Sequence, residues 1–140
     1  MGGNALTGNL PVEVTNLNQL VLLDLSDNSF TGNIPAEIGE NVELASLDLT
    51  GNAFEGELPE SMGSLEKLIS LKVTGNWLSG EIPDSFANLK DMIVLRLDNN
   101  LFSGQIPDFI GEEMKSLGET NKASRDIRIS KMHHLIIFLS

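Results

Sequence analysis

An asparagine recurs every 24 residues along most of this 140-residue chain. The five asparagines of this series are Asn4, Asn28, Asn52, Asn76 and Asn100. A glycine follows each asparagine after four residues and a proline after seven, and apolar columns keep the same register. A fixed period of this length is typical of repeat architectures, in which every unit points the same side chains inward. We therefore expect one stack of 24-residue units that share a core.

A short β-strand is predicted before each of the last four asparagines. Each of these segments carries an alternating apolar pair: Leu23/Leu25, Leu47/Leu49, Leu71/Val73 and Leu95/Leu97. Period-two alternation buries one face of a strand and exposes the residues between, so four such strands would stack in parallel about 4.8 Å apart. An asparagine amide at a strand end can satisfy backbone groups of its own turn and of the neighbouring turn. We therefore interpret Asn28, Asn52, Asn76 and Asn100 as structural residues.

The repeat unit has the form L-x-x-L-x-x-L-x-L-x-x-N-x-(L/F)-(T/S)-G-x-(I/L)-P over roughly residues 4–111. This pattern resembles the plant-specific class of leucine-rich repeats. The resemblance implies an α/β-type repeat solenoid, a right-handed superhelix with a parallel β-sheet on its concave face. It also implies short second strands at the T/S-G-x-I/L-P segment, and loops with 3-10 or helical turns on the convex side. Such proteins are mostly ectodomains of plant receptor-like kinases, receptor-like proteins and polygalacturonase inhibitors, which bind and do not catalyse.

The repeat register does not continue to the end of the chain. The next leucine positions hold Glu113, Ser116, Glu119 and Asn121 instead. We therefore divide the chain into a leucine-rich-repeat solenoid at 1–111 and a degenerate or truncated repeat tail at 112–140.

Two degraded units are recognisable within this tail. The stretch DIRIS carries the pair Ile127/Ile129, and KMHHLII can be laid over the fourth unit with Leu135 at the position of Leu95. This order resembles plant receptor kinases that carry a malectin-like domain after their repeats. The chain is interpreted as a truncated or internally deleted member, without the malectin-like domain, the membrane helix and the kinase.

Charge and composition argue against several kinds of site. Twenty acidic and nine basic residues give a net charge of −11, which repels nucleic acid and acidic membrane surfaces. The chain has no cysteine, and the adjacent His133 and His134 would point to opposite faces of a strand, which makes a poor metal clip. Gly75 and Gly80 imitate part of a phosphate-binding loop, but Glu81 stands where that loop needs lysine. We therefore expect no catalytic residue, no cofactor and no metal.

The chain as written has neither a signal peptide nor a run of the roughly 18 apolar residues that a membrane span needs. We therefore expect no membrane insertion by this chain itself. The resemblance implies the extracellular face of the plasma membrane for the parent family.

The residues exposed between and after the buried pairs form the candidate binding columns of the concave face. One column changes from acidic to basic along the repeat, and the next is mostly hydroxylated; together they contain Asp24, Asp48, Lys72, Arg96, Thr50, Thr74 and Asp98. Two interpretations remain open. One is a simple cross-strand ion pair between Asp48 and Lys72, and the other is an electrostatic strip that orients a peptide or protein partner.

Trp77 is the only tryptophan of the chain. It directly follows a repeat asparagine, where other units hold Ala5, Ser29, Ala53 and Leu101. The repeat does not require a large aromatic side chain at this position. Trp77 is therefore either a contact anchor for a partner on the flank or a side chain that packs at the edge.

Our leading hypothesis is a non-catalytic recognition module, a fragment of a plant receptor-like kinase ectodomain involved in signal perception. The resemblance implies a protein or peptide ligand or a co-receptor as partner, and no nucleic acid. One alternative is an enzyme inhibitor like the polygalacturonase inhibitors, against which the absence of cysteine argues. Another is a truncated gene product without a specific partner.

Overall fold

The computed structural model describes residues 3–104 and 136–138. In chain order the strands are β1 (Thr7–Asn9), β2 (Leu22–Asp24), β3 (Ser29–Asn33), β4 (Ser46–Asp48), β5 (Ala53–Gly56), β6 (Ser70–Lys72), β7 (Trp77–Gly80), β8 (Val94–Arg96), β9 (Leu101–Phe102) and β10 (Ile136–Phe138). The 3-10 helices of the described residues are η1 (Val12–Asn16), η2 (Ala36–Glu40), η3 (Glu60–Ser64) and η4 (Asp84–Asn88). The 3-10 helices of these residues have five residues each, which is too few to span a membrane.

The strands form two parallel sheets, which confirms the predicted repeat solenoid. The concave sheet has the order β10-β8-β6-β4-β2, and the second sheet, which we call the lateral sheet, has the order β1-β3-β5-β7-β9. The repeat strands of the concave sheet pair residues 24 apart, such as Leu47 with Leu71. The lateral strands pair residues 22 apart, such as Thr31 with Ala53. The predicted 3-10 turns are also present and stack on one another on the convex side.

Except for β1, which begins at Thr7, the lateral strands begin earlier than the T/S-G-x-I/L-P segment where they were predicted. Strands β5 and β7 start directly after the repeat asparagine and end at Gly56 and Gly80. The proline that follows belongs to the next element, since Pro59 lies at the N-terminal cap of η3 with φ −62°. Proline has no N–H to donate to a strand ladder, so the lateral strand ends before it.

The apolar columns of the sequence form one continuous core. Leu47, Leu71 and Leu95 point inward from the concave sheet and are fully buried. From the lateral sheet, the rings of Phe30 and Phe54 stack with their centroids 6.0 Å apart. Burial of each such side chain contributes about 1.5–3 kcal/mol, so the stack is stabilised unit by unit.

The repeat asparagines join neighbouring units through their side-chain amides. The Nδ2 of Asn76 donates to the carbonyls of Val73 and Thr74 in its own turn, at 2.9 and 3.4 Å. It also donates to the Leu49 carbonyl of the preceding unit at 2.9 Å, while its Oδ1 accepts the backbone N–H of Phe54 at 3.0 Å. Asn52 and Asn100 make the equivalent contacts, each with its own turn and with the preceding unit. One side chain therefore satisfies the backbone of two turns.

The repeat glycines have a steric role in addition to their backbone conformation. Gly80 has a φ of +75°, which disfavours any side chain. A Cβ at this position would also lie 2.7 Å from the Cγ of Glu57, the residue that follows the glycine of the preceding unit. The same overlap occurs one unit earlier, between Gly56 and Asn33. Each glycine therefore leaves room for a side chain of the unit before it.

Strand β10 lies beside β8 at the end of the concave sheet, and Ile137 pairs with Leu95. The overlay that placed Leu135 at the position of Leu95 is therefore wrong by two residues. A shift of two preserves the strand alternation, so the apolar pattern alone cannot distinguish the two registers. The other features predicted for the tail, Ile127, Ile129, His133 and His134, lie outside the described residues.

Asn41 occupies a position that is apolar in the other units. It is 1% exposed, and neither its Oδ1 nor its Nδ2 has a hydrogen-bond partner among the described residues. Leu65 and Leu89 hold the same position one and two units later, with backbone angles close to those of Asn41. A leucine thus fits this backbone, whereas a buried amide without a partner costs about 1–3 kcal/mol.

We expect Asn41→Leu to stabilise the protein by about 1–3 kcal/mol, because it removes two unpaired polar atoms and fills an apolar column. The measurement is the urea midpoint of unfolding followed by circular dichroism. The control is Asn88→Leu, a substitution of an exposed asparagine that should change stability by less than about 0.5 kcal/mol. A destabilised Asn41→Leu variant would mean that the amide has a partner, such as a buried water, and would contradict the prediction.

Candidate functional site

The candidate binding residues of the concave face lie in one row across four strands. The register pairs Asp24 with Asp48, Asp48 with Lys72, and Lys72 with Arg96. The row follows from the 24-residue period, since each of these residues comes directly after the buried leucine of its strand. Adjacent members are separated by about 4.8 Å, the spacing of neighbouring strands.

The centre of this row contains an ion pair. The Nζ of Lys72 lies 3.1 Å from the Oδ2 of Asp48, and the two side chains are 38% and 20% exposed. The other carboxylate oxygen of Asp48 accepts the backbone N–H of Thr50 at 3.1 Å. A partly exposed pair of this kind contributes about 0.2–1 kcal/mol. The ion pair predicted as one of two interpretations is therefore present, but it stabilises the fold only modestly.

A second row follows the strands and carries hydroxyl groups. The Thr74 hydroxyl donates to the Oδ1 of Asp98 at 2.8 Å, which links the third and fourth units. The backbone of the row is also paired, since the N–H of Gly51 donates to the carbonyl of Thr74 at 2.9 Å. Thr50 and Thr74 are half-buried, so their polar atoms are only partly accessible.

Asp24 differs from the other acids of the row in its hydrogen bonding. Its Oδ1 accepts the Ser26 hydroxyl at 2.6 Å and the Ser26 backbone N–H at 3.0 Å. These two bonds favour the charged carboxylate and lower the pKa of Asp24 below its ordinary value, the hydroxyl having the larger effect. Asp24 therefore stays negatively charged at the acidic end of the row.

We expect Ser26→Ala to raise the pKa of Asp24 towards the ordinary aspartate value of about 3.9. Because the pKa is lowered in the folded state, the stabilisation is present above that ordinary value and is lost as pH falls through the folded pKa. The stability difference between wild type and Ser26→Ala should therefore vanish in acid. An NMR titration of the Asp24 side chain measures the pKa, with Ser46→Ala as the control. Equal Asp24 midpoints in wild type and Ser26→Ala would refute the assignment.

Trp77 lies on a different surface from the concave row. It is the first residue of β7 in the lateral sheet, where it pairs with Glu55, and it is 62% exposed. The next residue, Leu78, is fully buried, so the indole points outward from the solenoid. The structure thus separates Trp77 from the other seven predicted binding residues.

An acidic groove beside the lateral sheet was not predicted from the sequence. It has a volume of about 500 Å³, and its lining includes Glu57, Glu60, Glu81 and Asp84. These acids occupy equivalent positions around the Leu/Ile-Pro dipeptide of the second and third units, counted from the strand β2. The sequence does indicate this groove: in these two units the residues on both sides of the Leu/Ile-Pro dipeptide are acidic, in the pattern G-E-(L/I)-P-(E/D).

The repeat matches a known family. The sequence profile of the Leucine Rich Repeat family matches residues 19–41, 43–65, 67–89 and 92–112, which together make up more than half of the chain. Each of the first three segments contains one concave strand, one lateral strand and one 3-10 helix. The profile thus coincides with the structural unit. No curated protein matches the chain.

Several solved structures share the fold of this chain. A TDR receptor is 41% identical to this chain with a TM-score of 0.78 over 80% of it. The plant peptide hormone receptor RGFR1, solved in complex with RGF2, is 36% identical with a TM-score of 0.75 over 76%. A chain of the BIR3–SERK2 complex from Arabidopsis thaliana is 34% identical with a TM-score of 0.75 over 78%. The present chain spans 19%, 17% and 58% of these three chains, respectively.

Proposed function

The chain belongs to the leucine-rich-repeat family, and on this premise we propose that it is a non-catalytic recognition module that binds a peptide or protein partner. The observation that carries this proposal is the row of Asp24, Asp48, Lys72 and Arg96 across the concave sheet. Charged groups at strand spacing offer hydrogen-bond and ion-pair partners to an extended segment that crosses the strands.

The ion pair of the row is compatible with binding. Since the pair of Asp48 and Lys72 contributes at most about 1 kcal/mol, a partner carboxylate can take the place of Asp48 at small cost. The second row, with Thr50, Thr74 and Asp98, follows the charged row along the strands. Its polar groups would help to fix the position of the bound segment. We propose Trp77 as a separate contact on the flank.

The relatives favour a receptor over the other functions considered. RGFR1 is a plant peptide hormone receptor in complex with RGF2, and BIR3 and SERK2 form a complex with each other. We propose that this chain corresponds to part of a plant receptor-like kinase ectodomain at the extracellular face of the plasma membrane, with a peptide ligand or a co-receptor as partner. The malectin-like subclass, and the division into a solenoid at 1–111 and a tail at 112–140, belong to this proposal.

A peptide selection tests the proposal. Random 12-residue peptides displayed on phage are selected on the immobilised chain, and the best binder is measured by calorimetry against Lys72→Glu/Arg96→Glu. We expect affinity to fall at least about tenfold, because two cations of the row become anions. The matched control is Lys67→Glu/Lys90→Glu, which changes the net charge equally on lysines outside the concave strands. Equal losses in both variants, or no loss in either, would refute the proposed surface.

A charge exchange separates the two interpretations of the row. Asp48→Lys/Lys72→Asp keeps the net charge and allows the ion pair to form in reverse. If the row orients a partner, the selected peptide should bind this variant at least about tenfold more weakly while stability changes by less than about 1 kcal/mol. Unchanged affinity would leave the pair with a structural role alone.

A further inference from the structure

The outer face of the lateral sheet presents two large apolar side chains on neighbouring strands. Trp77 on β7 is 62% exposed and Leu101 on β9 is 58% exposed. Ser79 pairs with Leu101, which makes Trp77 and Leu101 diagonal neighbours on one face. We call this surface, formed by Glu55, Trp77, Ser79 and Leu101, the lateral face.

The repeat does not explain these two side chains. The equivalent positions one and two units before Trp77 hold Ala53 and Ser29, which are small. The inward neighbours Leu78 and Phe54 already fill the core and are fully buried. A large aromatic side chain that is mostly exposed is a feature of residues that anchor a partner.

The lateral face is bordered by negative charge. Glu55 pairs with Trp77 across the sheet, and the groove of about 500 Å³ begins at Gly80, three residues further along β7. Glu57 and Glu81 both line this groove together with Gly80. Apolar side chains that include Leu58 and Ile82 contribute to its walls, so a bound side chain would be partly shielded from water.

No cation of the described residues neutralises these acids. Lys67 pairs with Glu43 at 2.6 Å, and Lys90 donates to the carbonyl of Ala87. The other two cations of the range 3–104, Lys72 and Arg96, belong to the concave sheet. The lateral face is therefore complementary to a positively charged partner.

We propose that the lateral face binds an extended cationic protein segment, with an apolar side chain on Trp77 and Leu101 and a lysine or arginine in the groove at Glu57 and Glu81. The distance between the two contact points sets the spacing within the segment. Trp77 is the first residue of β7 and Glu81 directly follows its last residue, Gly80, so their Cα atoms are at most about 13 Å apart. The apolar residue and the cation of the partner are therefore up to about four residues apart.

Trp77 reports on this surface directly, because it is the only tryptophan in the chain. The probe is a synthetic peptide, acetyl-GSLGSGRRGSGS-amide, in which leucine precedes the first arginine by four residues. We expect a saturable change in tryptophan emission that weakens as salt is raised. The same peptide with glutamates in place of the arginines should give none. A neutral glucose hexasaccharide that saturates the signal while the cationic peptide does not would overturn the proposal in favour of a carbohydrate surface.

Two pairs of substitutions test whether the cationic peptide binds in the groove. Glu57→Gln/Glu81→Gln preserves side-chain size and should weaken the cationic peptide at least about tenfold. The matched control Glu40→Gln/Glu66→Gln removes two exposed acids outside the groove and should weaken it less than about twofold. Equal weakening would indicate general attraction to an acidic chain and would overturn the proposal. Trp77→Ala, measured by calorimetry, should also lose binding.

This surface is independent of the concave row. Lys72→Glu/Arg96→Glu should leave the affinity for the cationic peptide within about twofold, because both residues lie in the other sheet. Loss of the cationic peptide in this variant would place it on the concave sheet and would refute the lateral site.

Discussion

Replacing Gly39 with alanine is expected to destabilise the protein by about 3 kcal/mol or more. A Cβ at Gly39 would lie 2.3 Å from the carbonyl oxygen of Ser61, which belongs to the next 3-10 helix. Because the obstacle is backbone, it cannot move away as a flexible side chain would. The helices η2 and η3 would have to separate, and Ser61 would lose the hydrogen bond that its hydroxyl donates to Ala36.

The unit that contains η4 provides the control for this substitution. Ala87 holds the position of Gly39 in η4 and already carries a Cβ. Ala87→Gly should cost no more than about 1 kcal/mol, through the added freedom of the unfolded chain. Both variants are compared by their urea midpoints. A Gly39→Ala variant as stable as wild type would contradict the close stacking of η2 on η3.

Replacing Asn76 with leucine is expected to cost about 3 kcal/mol. The substitution leaves the backbone N–H of Phe54 without its partner, the Oδ1 of Asn76. It also removes one of the two side-chain amides that donate to each of the carbonyls of Leu49 and Val73. An unpaired buried N–H costs about 1–3 kcal/mol, the lost bonds to the carbonyls add to this, and the gain from a more apolar side chain offsets only part of the cost. Stability is measured by urea denaturation, and local loosening by hydrogen exchange of the Phe54 amide.

Two further leucine variants serve as controls for Asn76→Leu. Asn100→Leu breaks the same contacts at a position that is less buried, so it should cost less. Asn41→Leu should stabilise the protein, although the chemical change is identical. The two stability changes have opposite signs because the two asparagines differ in their hydrogen bonds. Asn76 has four hydrogen bonds, and the amide of Asn41 has none among the described residues. Equal effects of the three substitutions would refute this account.

The concave sheet was predictable because two periods determine it. Alternation by two places Leu47 inside and Asp48 outside, and the 24-residue period then aligns Asp48 with Lys72. The lateral sheet was less predictable. Its strands pair residues 22 apart, and this stagger depends on how the turns pack in three dimensions, which a sequence column does not express.

Other features depend on contacts that cross between units. The sequence indicates glycine at the turn, but the contact of Glu57 with the next unit's Gly80 appears only when the units are stacked. Asn41 interrupts one apolar column of the sequence, but its complete burial could not be inferred from one substituted position. Trp77 was identified as unusual by the same columns and was expected on the flank, but its neighbours Glu55 and Leu101 became known only from the second sheet.

The most direct test of the recognition module is to map where the selected peptide binds. The peptide chosen on the immobilised chain is titrated into isotopically labelled protein, and amide chemical shifts are followed by NMR. We predict that the largest shifts occur at Asp48, Lys72 and Thr74 and at their neighbours on the concave strands. Shifts confined to the convex helices η1 to η4, with the concave strands unchanged, would contradict the claim that the concave sheet binds the partner.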